Sequence, residues 1–325
     1  MPNIITHALL AQDAIEAIEA PTLSALISKY PRVYAMGSSG PDFLFYFRIL
    51  PWQKADPSIK VREIGNAIHA SHINDFYQSA LGVIQTTQDE ETRDIMTVFL
   101  AGHLAHWALD SIAHPYVFAK TGEILKGATK YWHFRFESML DTLMVTQVKG
   151  FKIENIKMPE FVASTKATRQ AVSFLYRQIV LDVFDTDIDE KIFDECLSSM
   201  TATAKLLYDP YTLKFPAIQL GEKATGKLWE FSGHMVIGEP DLAHDILNLN
   251  HAQWTHPCDD TLVSTESFLD LYQKAKERAM AVLYALDGII TMSQPKASLN
   301  LITRDLTYDT GLKNPPEMKF YDPIY

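Results

Sequence analysis

The sequence predicts an all-α protein, and we expect residues 1–325 to form one multi-helix domain. Hydrophobic residues make up 47% of the chain and charged residues 21%, a mixture that can bury a large core. The counts of glycine (14) and proline (16) are modest, which argues against a loop-rich all-β architecture. Apolar residues recur at helical spacing in most segments. At roughly 150 residues per domain the length favours two domains, but we find no linker, no internal repeat and no convincing pair of strands.

The helices are expected in the following order. Thr6 can cap a first helix, because apolar residues follow it at near-helical spacing. Pro21 can begin a second helix that runs to Lys29, since a proline at the first helical position loses no hydrogen bond. Residues 30–60 have the composition of a loop, with GSSGPD and the aromatic run FLFYF. Further helices are expected at about 61–85, 89–112, 130–148, 159–185, 188–208 and 264–293.

The last third of the chain is less regular. Residues 209–262 contain four prolines and no clear period, so we expect an irregular insertion before the last long helix. Residues 295–325 contain prolines and no period, but their composition is varied. We expect this tail to pack over the body of the protein.

Charge and cysteine content restrict the classes of partner and compartment. The net charge of −11 has the wrong sign for a broad nucleic-acid surface, and it disfavours a basic face on an anionic membrane. Two cysteines cannot build a disulfide framework. The N-terminus lacks the basic region of a signal peptide. The longest apolar stretch, Ile95–Leu109, falls short of the roughly 20 residues of a membrane span. We therefore expect a cytoplasmic protein without a transmembrane segment.

The strongest chemical signal is the segment AGHLAHWALDSIAHPYV. Its His106, Asp110 and His114 are each four residues apart, so on a helix they share one face. Their neighbours are apolar, and burying two imidazoles and a carboxylate without partners is costly. A divalent cation removes that cost, and zinc suits nitrogen and oxygen ligands. The alternative is a histidine-rich core helix whose polar side chains bond one another. We expect Pro115 to end this helix, so that His114 lies at the end of the bundle rather than in its middle.

Two further helices carry candidate ligands. In YWHFRFESMLDTL, His133 and Glu137 are four residues apart. This spacing is also that of a surface ion pair, but the surrounding residues are aromatic and apolar. In IGNAIHASHINDF, His69 and His72 are three residues apart, and only one of them needs to be a ligand. We select His69.

Asp42 and His7 are weaker candidates when each is taken alone. Asp42 stands in GSSGPDF, where turn chemistry alone explains an aspartate. His7, at the start of the first helix, resembles an ordinary surface histidine. However, seven of the 11 histidines lie in the first 140 residues, together with carboxylates from several elements. This clustering predicts a site for two or three Zn²⁺ ions, which is the apparatus of phosphoester hydrolysis.

Other catalytic patterns are missing from the sequence. It has no HExxH, GxxxxGK[ST], GxGxxG, CxxC or GxSxG motif. It has no Glu-x-x-His either, which argues against a ferritin-like di-iron bundle.

Five motifs in a fixed order resemble the zinc-dependent phospholipase C family, which includes bacterial phospholipase C and the N-terminal domain of GPI-specific phospholipase D. They are THALLAQDAI, GSSGPDF, GNAIH, GHLAHWALDSIAHPY and HFRFE, within roughly the first 145 residues. The resemblance implies the all-α fold that this family shares with a single-strand nuclease family, and a trinuclear zinc site. Secreted members use the N-terminal amine as a further ligand of the third ion. This sequence departs from that pattern, because no signal peptide is evident to free such an amine.

The resemblance also implies an assignment of ligands. It surrounds the first ion with Asp42, His69, His106 and Asp110. It assigns the second ion to His114, His133 and Glu137. The third ion falls to His7, with Asp110 bridging back to the first. Three roles stay open for Asp42 at this stage: metal ligand, general base toward the attacking water, or both.

The expected function is therefore a zinc-dependent phosphodiesterase, similar to phospholipase C, that acts on a phospholipid or on a small phosphate ester. Two alternatives stay open at this stage. One is a zinc nuclease on the same scaffold, and the other is a non-catalytic protein that keeps metal for structure or binding. The sequence does not indicate the oligomeric state.

Overall fold

The computed structural model describes residues 4–49, 53–54, 56, 59–127, 130–238 and 243–325. The chain is mainly helical, which confirms the predicted all-α class. The helices are α1 (Ile4–Ile15), α2 (Pro21–Lys29), α3 (Pro31–Gly37), α4 (Val61–Ala70), α5 (Ile73–Thr86), α6 (Glu90–Thr121), α7 (Trp132–Leu143), α8 (Met158–Phe161), α9 (Lys166–Phe184), α10 (Glu190–Leu207), α11 (Phe215–Thr225), α12 (Phe268–Ile290) and α13 (Ala297–Thr303). Short 3₁₀ segments occupy Gly40–Tyr46, Ile153–Asn155 and Ser232–His234, and a π-helical turn occupies Met144–Val148.

The 32-residue helix α6 is the central element of the fold. It packs against α12, α3, α9, α1 and α7, and its side chains are buried almost without interruption from Ile95 onward. Asp89 begins the helix by accepting a hydrogen bond from the backbone N–H of Thr92 at 2.9 Å. Because α6 is surrounded on all sides, every polar residue in its middle must find a partner within the protein.

The predicted end of this helix at residue 112 is wrong. Pro115 lies inside α6, which continues to Thr121. A proline there removes the N–H that would bond the carbonyl of Ser111. Gly311 of the C-terminal segment approaches that carbonyl so closely that a Cβ at residue 311 would lie 2.0 Å from it. His114 therefore lies inside α6 rather than at its end, and it is 2% exposed.

Residues 30–60, expected as a loop, contain α3 and the 3₁₀ segment Gly40–Tyr46. Helix α1 begins at Ile4 and so includes Thr6, which was expected to cap it, and the predicted helix 159–185 is divided into α8 and α9.

Three further sequence expectations need correction. The predicted helix 61–85 is two helices, α4 and α5, because His72 adopts a left-handed backbone conformation with φ of 57°. The segment 209–262 is not wholly irregular, since it contains α11. It also contains a strand pair where none was expected. Strand β1 (Trp254–His256) runs antiparallel to β2 (Asp259–Ser264), with Trp254 opposite Ser264.

The C-terminal tail packs over the body of the protein, as expected. The backbone N–H groups of Asp322 and Ile324 donate to the carbonyls of Ala119 and Lys120, so the tail lies along the end of α6. Among the described helices, α6 alone has the length and apolar composition of a membrane span, but 94% of its apolar window is buried inside the protein. A helix covered in this way has no face left for lipid, so α6 is a core helix.

Candidate metal centre

The eight predicted ligands come from five elements and are brought together around α6. His106, Asp110 and His114 project from successive turns of that helix. The 3₁₀ segment supplies Asp42, α1 supplies His7, α4 supplies His69, and α7 supplies His133 and Glu137. All eight side chains are buried, and His106 and Asp110 have no exposed surface at all.

These residues form three adjacent groups, each able to hold a cation. The groups are Asp42–His69–His106, His7–His106–Asp110 and His114–His133–Glu137, and within each the ligand atoms lie within 4.8 Å of one another.

His106 and Asp110 join the groups to each other. The Nε2 atom of His106 lies 2.9 Å from one oxygen of Asp110 and 3.9 Å from Asp42. The other oxygen of Asp110 lies 3.2 Å from Nε2 of His7. The rings of His7 and His106 stack with their centroids 4.1 Å apart. Asp110 is thus placed to contact two cations at once, and His106 is placed between them.

The backbone fixes the ring orientation of three of these histidines. The Nδ1 atoms of three histidines donate to carbonyl oxygens: His69 to Gly65 (2.8 Å), His106 to Ser38 (3.0 Å) and His114 to Tyr308 (3.3 Å). In each case the proton is on Nδ1, because a carbonyl can only accept. In His106 and His114, Nε2 then carries a lone pair directed into the centre, whereas Nε2 of His69 faces Asp42 at 3.1 Å. Ligating histidines in metalloproteins are held in this way.

His133 is oriented by a hydroxyl group instead. The hydroxyl of Thr121 donates its own proton to the carbonyl of Val117 at 2.8 Å, so it accepts from Nδ1 of His133 at 3.0 Å. The Nε2 atom of His133 lies 2.8 Å from Glu137.

Several of these buried atoms have no hydrogen-bond partner among the described residues. They are both ring nitrogens of His7, Nε2 of His106, both oxygens of Asp110 and Nε2 of His114. Because Nδ1 of His106 carries the ring proton, the lone pair of its Nε2 faces an oxygen of Asp110 at 2.9 Å without a proton between them, an arrangement that is costly in a buried site. A cation removes the cost, and mixed nitrogen and oxygen donors suit zinc. The residues present therefore fit the predicted metal.

The pKa values of the centre agree with metal binding. Burial, helped by the nearby His106, lowers the pKa of His7 to about 4. Burial also holds the pKa of His114 and of His133 well below the ordinary value, so these rings are neutral near pH 7. Burial opposes ionisation of Asp110, but the surrounding imidazoles outweigh it and the pKa of this carboxyl is well below normal.

His69 behaves differently from the other ligands. Burial lowers its pKa, but the hydrogen bond to Asp42 at 3.1 Å and the charge of that carboxylate outweigh burial and raise the pKa to about 9. In the metal-free centre a proton therefore lies between His69 and Asp42. A cation between the two side chains would displace it.

Gly40 explains the glycine-rich loop before Asp42. It adopts a φ of 55°, and a Cβ there would lie 2.2 Å from the ring of His106. Only glycine lets this loop approach α6 closely enough to bring Asp42 into the centre.

His72 and His103 do not join the centre. His72 is at the start of α5, its side chain is 53% exposed, and it pairs with Asp75 at 3.1 Å. His103 is on α6 but is surrounded by tyrosines, with Tyr176 at 2.9 Å and Tyr77 at 3.1 Å.

Sequence reasoning missed a C-terminal segment, Leu306–Leu312, that crosses the centre. The indole of Trp107 donates to Leu306, the backbone N–H of Tyr308 donates to the carbonyl of His69, and His114 donates to the carbonyl of Tyr308. This crossing segment places a carboxylate oxygen of Asp309 3.8 Å from Nδ1 of His114. The Asp309 side chain is 32% exposed, which makes it far more accessible than the eight predicted ligands.

Asp141 follows Glu137 on α7 and is not among the eight predicted ligands. One turn further along α7, its carboxylate accepts from the backbone N–H groups of Ile5 and Thr6 at 3.0 and 2.8 Å, and from the hydroxyl of Thr6 at 2.6 Å. It therefore caps the start of α1 and holds His7 against the helix that carries Glu137.

Comparison with known proteins gives one match. Residues 6–199 match the family described as zinc dependent phospholipase C. No curated protein and no solved structure matches the chain. The matched region contains all eight predicted ligands but not the crossing segment, α11 or α12.

Proposed function

Because the chain belongs to the zinc-dependent phospholipase C family, we propose that its buried centre binds zinc and hydrolyses a phosphodiester bond in a phospholipid. The observation that carries this proposal is the sharing of His106 between two of three ligand groups. Two cations held by these groups would lie side by side. Closely spaced divalent ions are the arrangement that phosphoester hydrolysis uses.

Bound zinc would supply a water of lowered pKa as the nucleophile and positive charge for the phosphoryl oxygens. The protein's own contribution begins with Asp42. Its Oδ1 atom is held by His69 at 3.1 Å, while Oδ2 lies 3.9 Å from Nε2 of His106. We assign Oδ2 of Asp42 the role of accepting the proton of the attacking water. The carboxylate is 6% exposed, so little solvent competes for this role.

The side chains beside Asp42 favour an apolar substrate over a nucleic acid. Phe45 and Tyr46 follow Asp42 in the same 3₁₀ segment and are half-buried. The ring of Phe45 lies 5.5 Å from that of His69. An aromatic wall next to the ligands offers contact area to lipid chains or a headgroup, and the net charge of −11 does not attract a nucleic-acid backbone.

The test is a comparison of substrates with and without metal. The purified protein is assayed on a short-chain phosphatidylcholine below its micelle concentration and on single-stranded DNA. Each assay is run as purified, after chelator treatment, and after zinc is returned. We expect hydrolysis of the phospholipid that disappears with chelator and returns with zinc. Hydrolysis of DNA alone would assign the nuclease function instead. Turnover of neither substrate would leave a metal-binding protein without this activity.

A further inference from the structure

A second surface of the molecule combines exposed apolar side chains with positive charge. It covers Lys205–Phe231, comprising the end of α10, helix α11 and the loop after it, and we call it the basic lobe. Its exposed large apolar residues, with their exposed fractions, are Leu206 (48%), Tyr211 (68%), Leu213 (78%), Leu220 (71%) and Phe231 (46%). Exposed apolar residues concentrated in this way mark interaction surfaces more often than isolated ones do.

Hydrogen bonds hold the backbone of the lobe in one conformation. Asp209 accepts hydrogen bonds from the backbone N–H groups of Leu213, Lys214 and Phe215 at 2.8 to 2.9 Å, which caps α11. The ammonium of Lys214 donates to the carbonyl of Leu206 at 3.0 Å. These bonds hold the backbone of Leu206 and Leu213 in place, while the side chains of both residues are exposed.

The opposite end of α11 is fixed by Glu222. Its carboxylate accepts from the backbone N–H groups of Trp229, Phe231 and Ser232. The loop therefore wraps round the helix end. Phe215 and Glu222, seven residues apart, form the buried face of α11, and Leu220 lies on the exposed face.

The lobe contains four lysines and three acidic residues, a formal charge of +1, although the chain as a whole carries −11. Its four lysines are exposed: Lys205, Lys214, Lys223 and Lys227. Asp209 and Glu222 are 3% and 5% exposed, because both are occupied in capping backbone N–H groups. Glu230 is partly buried and pairs with Lys227 at 3.0 Å. The net charge of −11 thus conceals a local surface with exposed lysines, because two of the three acidic residues of this segment are buried and the third is paired with Lys227.

The basic lobe is attached beside the metal centre. The ring of Trp229 in the lobe lies 5.2 Å from that of Trp132, which directly precedes the candidate ligand His133. The guanidinium of Arg135 on α7 lies over the ring of Phe215, 5.2 Å from its centroid. A ligand bound at the lobe would therefore lie on the side of the molecule where α7 carries His133.

We propose that the basic lobe binds the surface of an anionic phospholipid bilayer. Apolar side chains would enter the headgroup region, while lysines contact lipid phosphates. Charge complementarity selects this partner, since lysines that flank exposed leucines match a surface that is anionic outside and apolar beneath. The inference rests on the proposed function and adds to it the physical state of the substrate, which is lipid in a membrane.

The experiment measures binding of the full chain to sedimentable vesicles on ice. One set of vesicles is pure phosphatidylcholine and the other contains phosphatidylserine. We expect binding to the anionic vesicles that weakens as salt is raised. The double variant Lys205→Glu with Lys223→Glu should bind at least about 25-fold more weakly, since each lysine contributes roughly fivefold near such a surface. The double variant Leu213→Asp with Leu220→Asp should also lose binding.

Two controls separate this inference from the proposed function. Leu301→Asp changes a leucine of α13 that is 75% exposed, and it should leave vesicle binding unchanged. Hydrolysis of the monomeric short-chain phospholipid should be unaffected in all these variants, because none touches the metal centre. Lobe variants that bind vesicles like the unaltered protein would overturn the inference. A second result would also overturn the inference: the unaltered protein does not bind vesicles but forms a dimer, and the lobe variants are monomeric. The partner of the lobe would then be a second copy of the chain.

Discussion

The substitution Asp110→Asn tests the metal centre at the residue on which its groups converge. The change is nearly isosteric, but it replaces one carboxylate oxygen by an NH₂ group and removes the charge. One Asp110 oxygen lies 3.2 Å from His7 and the other 2.9 Å from His106. Whichever way the amide turns, its NH₂ group faces either His7 or His106, at a position where a cation would need an oxygen lone pair.

The expected loss follows from what the metal contributes. Metal catalysis of phosphoester chemistry is worth several kcal/mol of transition-state stabilisation, and each 1.36 kcal/mol is a factor of ten in rate. We expect kcat/KM to fall by about three orders of magnitude or more, and bound zinc to fall by at least one ion per chain. Zinc content is measured by mass spectrometry, and kcat/KM on a short-chain phospholipid.

A matched control is available in the exposed tail. Asp322→Asn makes the same chemical change at a side chain that is 80% exposed, and it should leave zinc content and activity intact. Circular dichroism and thermal unfolding show whether each variant is folded. A folded Asp110→Asn protein with the full zinc content would refute the ligand assignment.

Further consequences of the structure can be tested in the same way. Asp309→Asn removes the carboxylate next to Nδ1 of His114, so zinc affinity measured by chelator competition should fall about 10- to 100-fold; unchanged affinity would show that the crossing segment plays no part in metal binding. Asp141→Ala removes the cap of α1, and urea unfolding should show a loss of about 1 to 3 kcal/mol, together with weaker retention of the zinc near His7. The metal-free protein should lose stability as the pH falls from 6.5 toward 4. In this range His7 of the unfolded chain takes up a proton, whereas the buried ring of the folded protein, with a pKa of about 4, stays neutral. In His7→Gln this pH dependence should be smaller, and an identical slope would contradict the explanation.

The sequence predicted the parts of the site that depend on local spacing. Helical steps of four residues place His106, Asp110 and His114 on one face, and the structure has them there on α6. The choice between His69 and His72 was harder to make from spacing. His72 itself has a left-handed backbone conformation between two helices, and its side chain is exposed to solvent. Nothing in the local sequence marks that break.

Long-range contacts account for what the sequence did not predict. Pro115 has the local chemistry of a helix end, but Gly311, far along the chain, packs against the carbonyl that proline leaves without its helical bond. Asp309 enters the centre from the same distant segment. Neither contact has a periodic signal, because each depends on how the C-terminal segment crosses α6. The basic lobe was hidden for another reason, since net charge counts buried and exposed acids equally.

The metal content of the unaltered protein tests the central claim most directly. It is measured by inductively coupled plasma mass spectrometry on protein purified without chelator and without a histidine tag. Three adjacent ligand groups predict two or three zinc ions per chain. Zero or one ion, even after zinc is added back, would mean that these buried histidines and carboxylates serve the fold alone, and would contradict the hydrolytic mechanism.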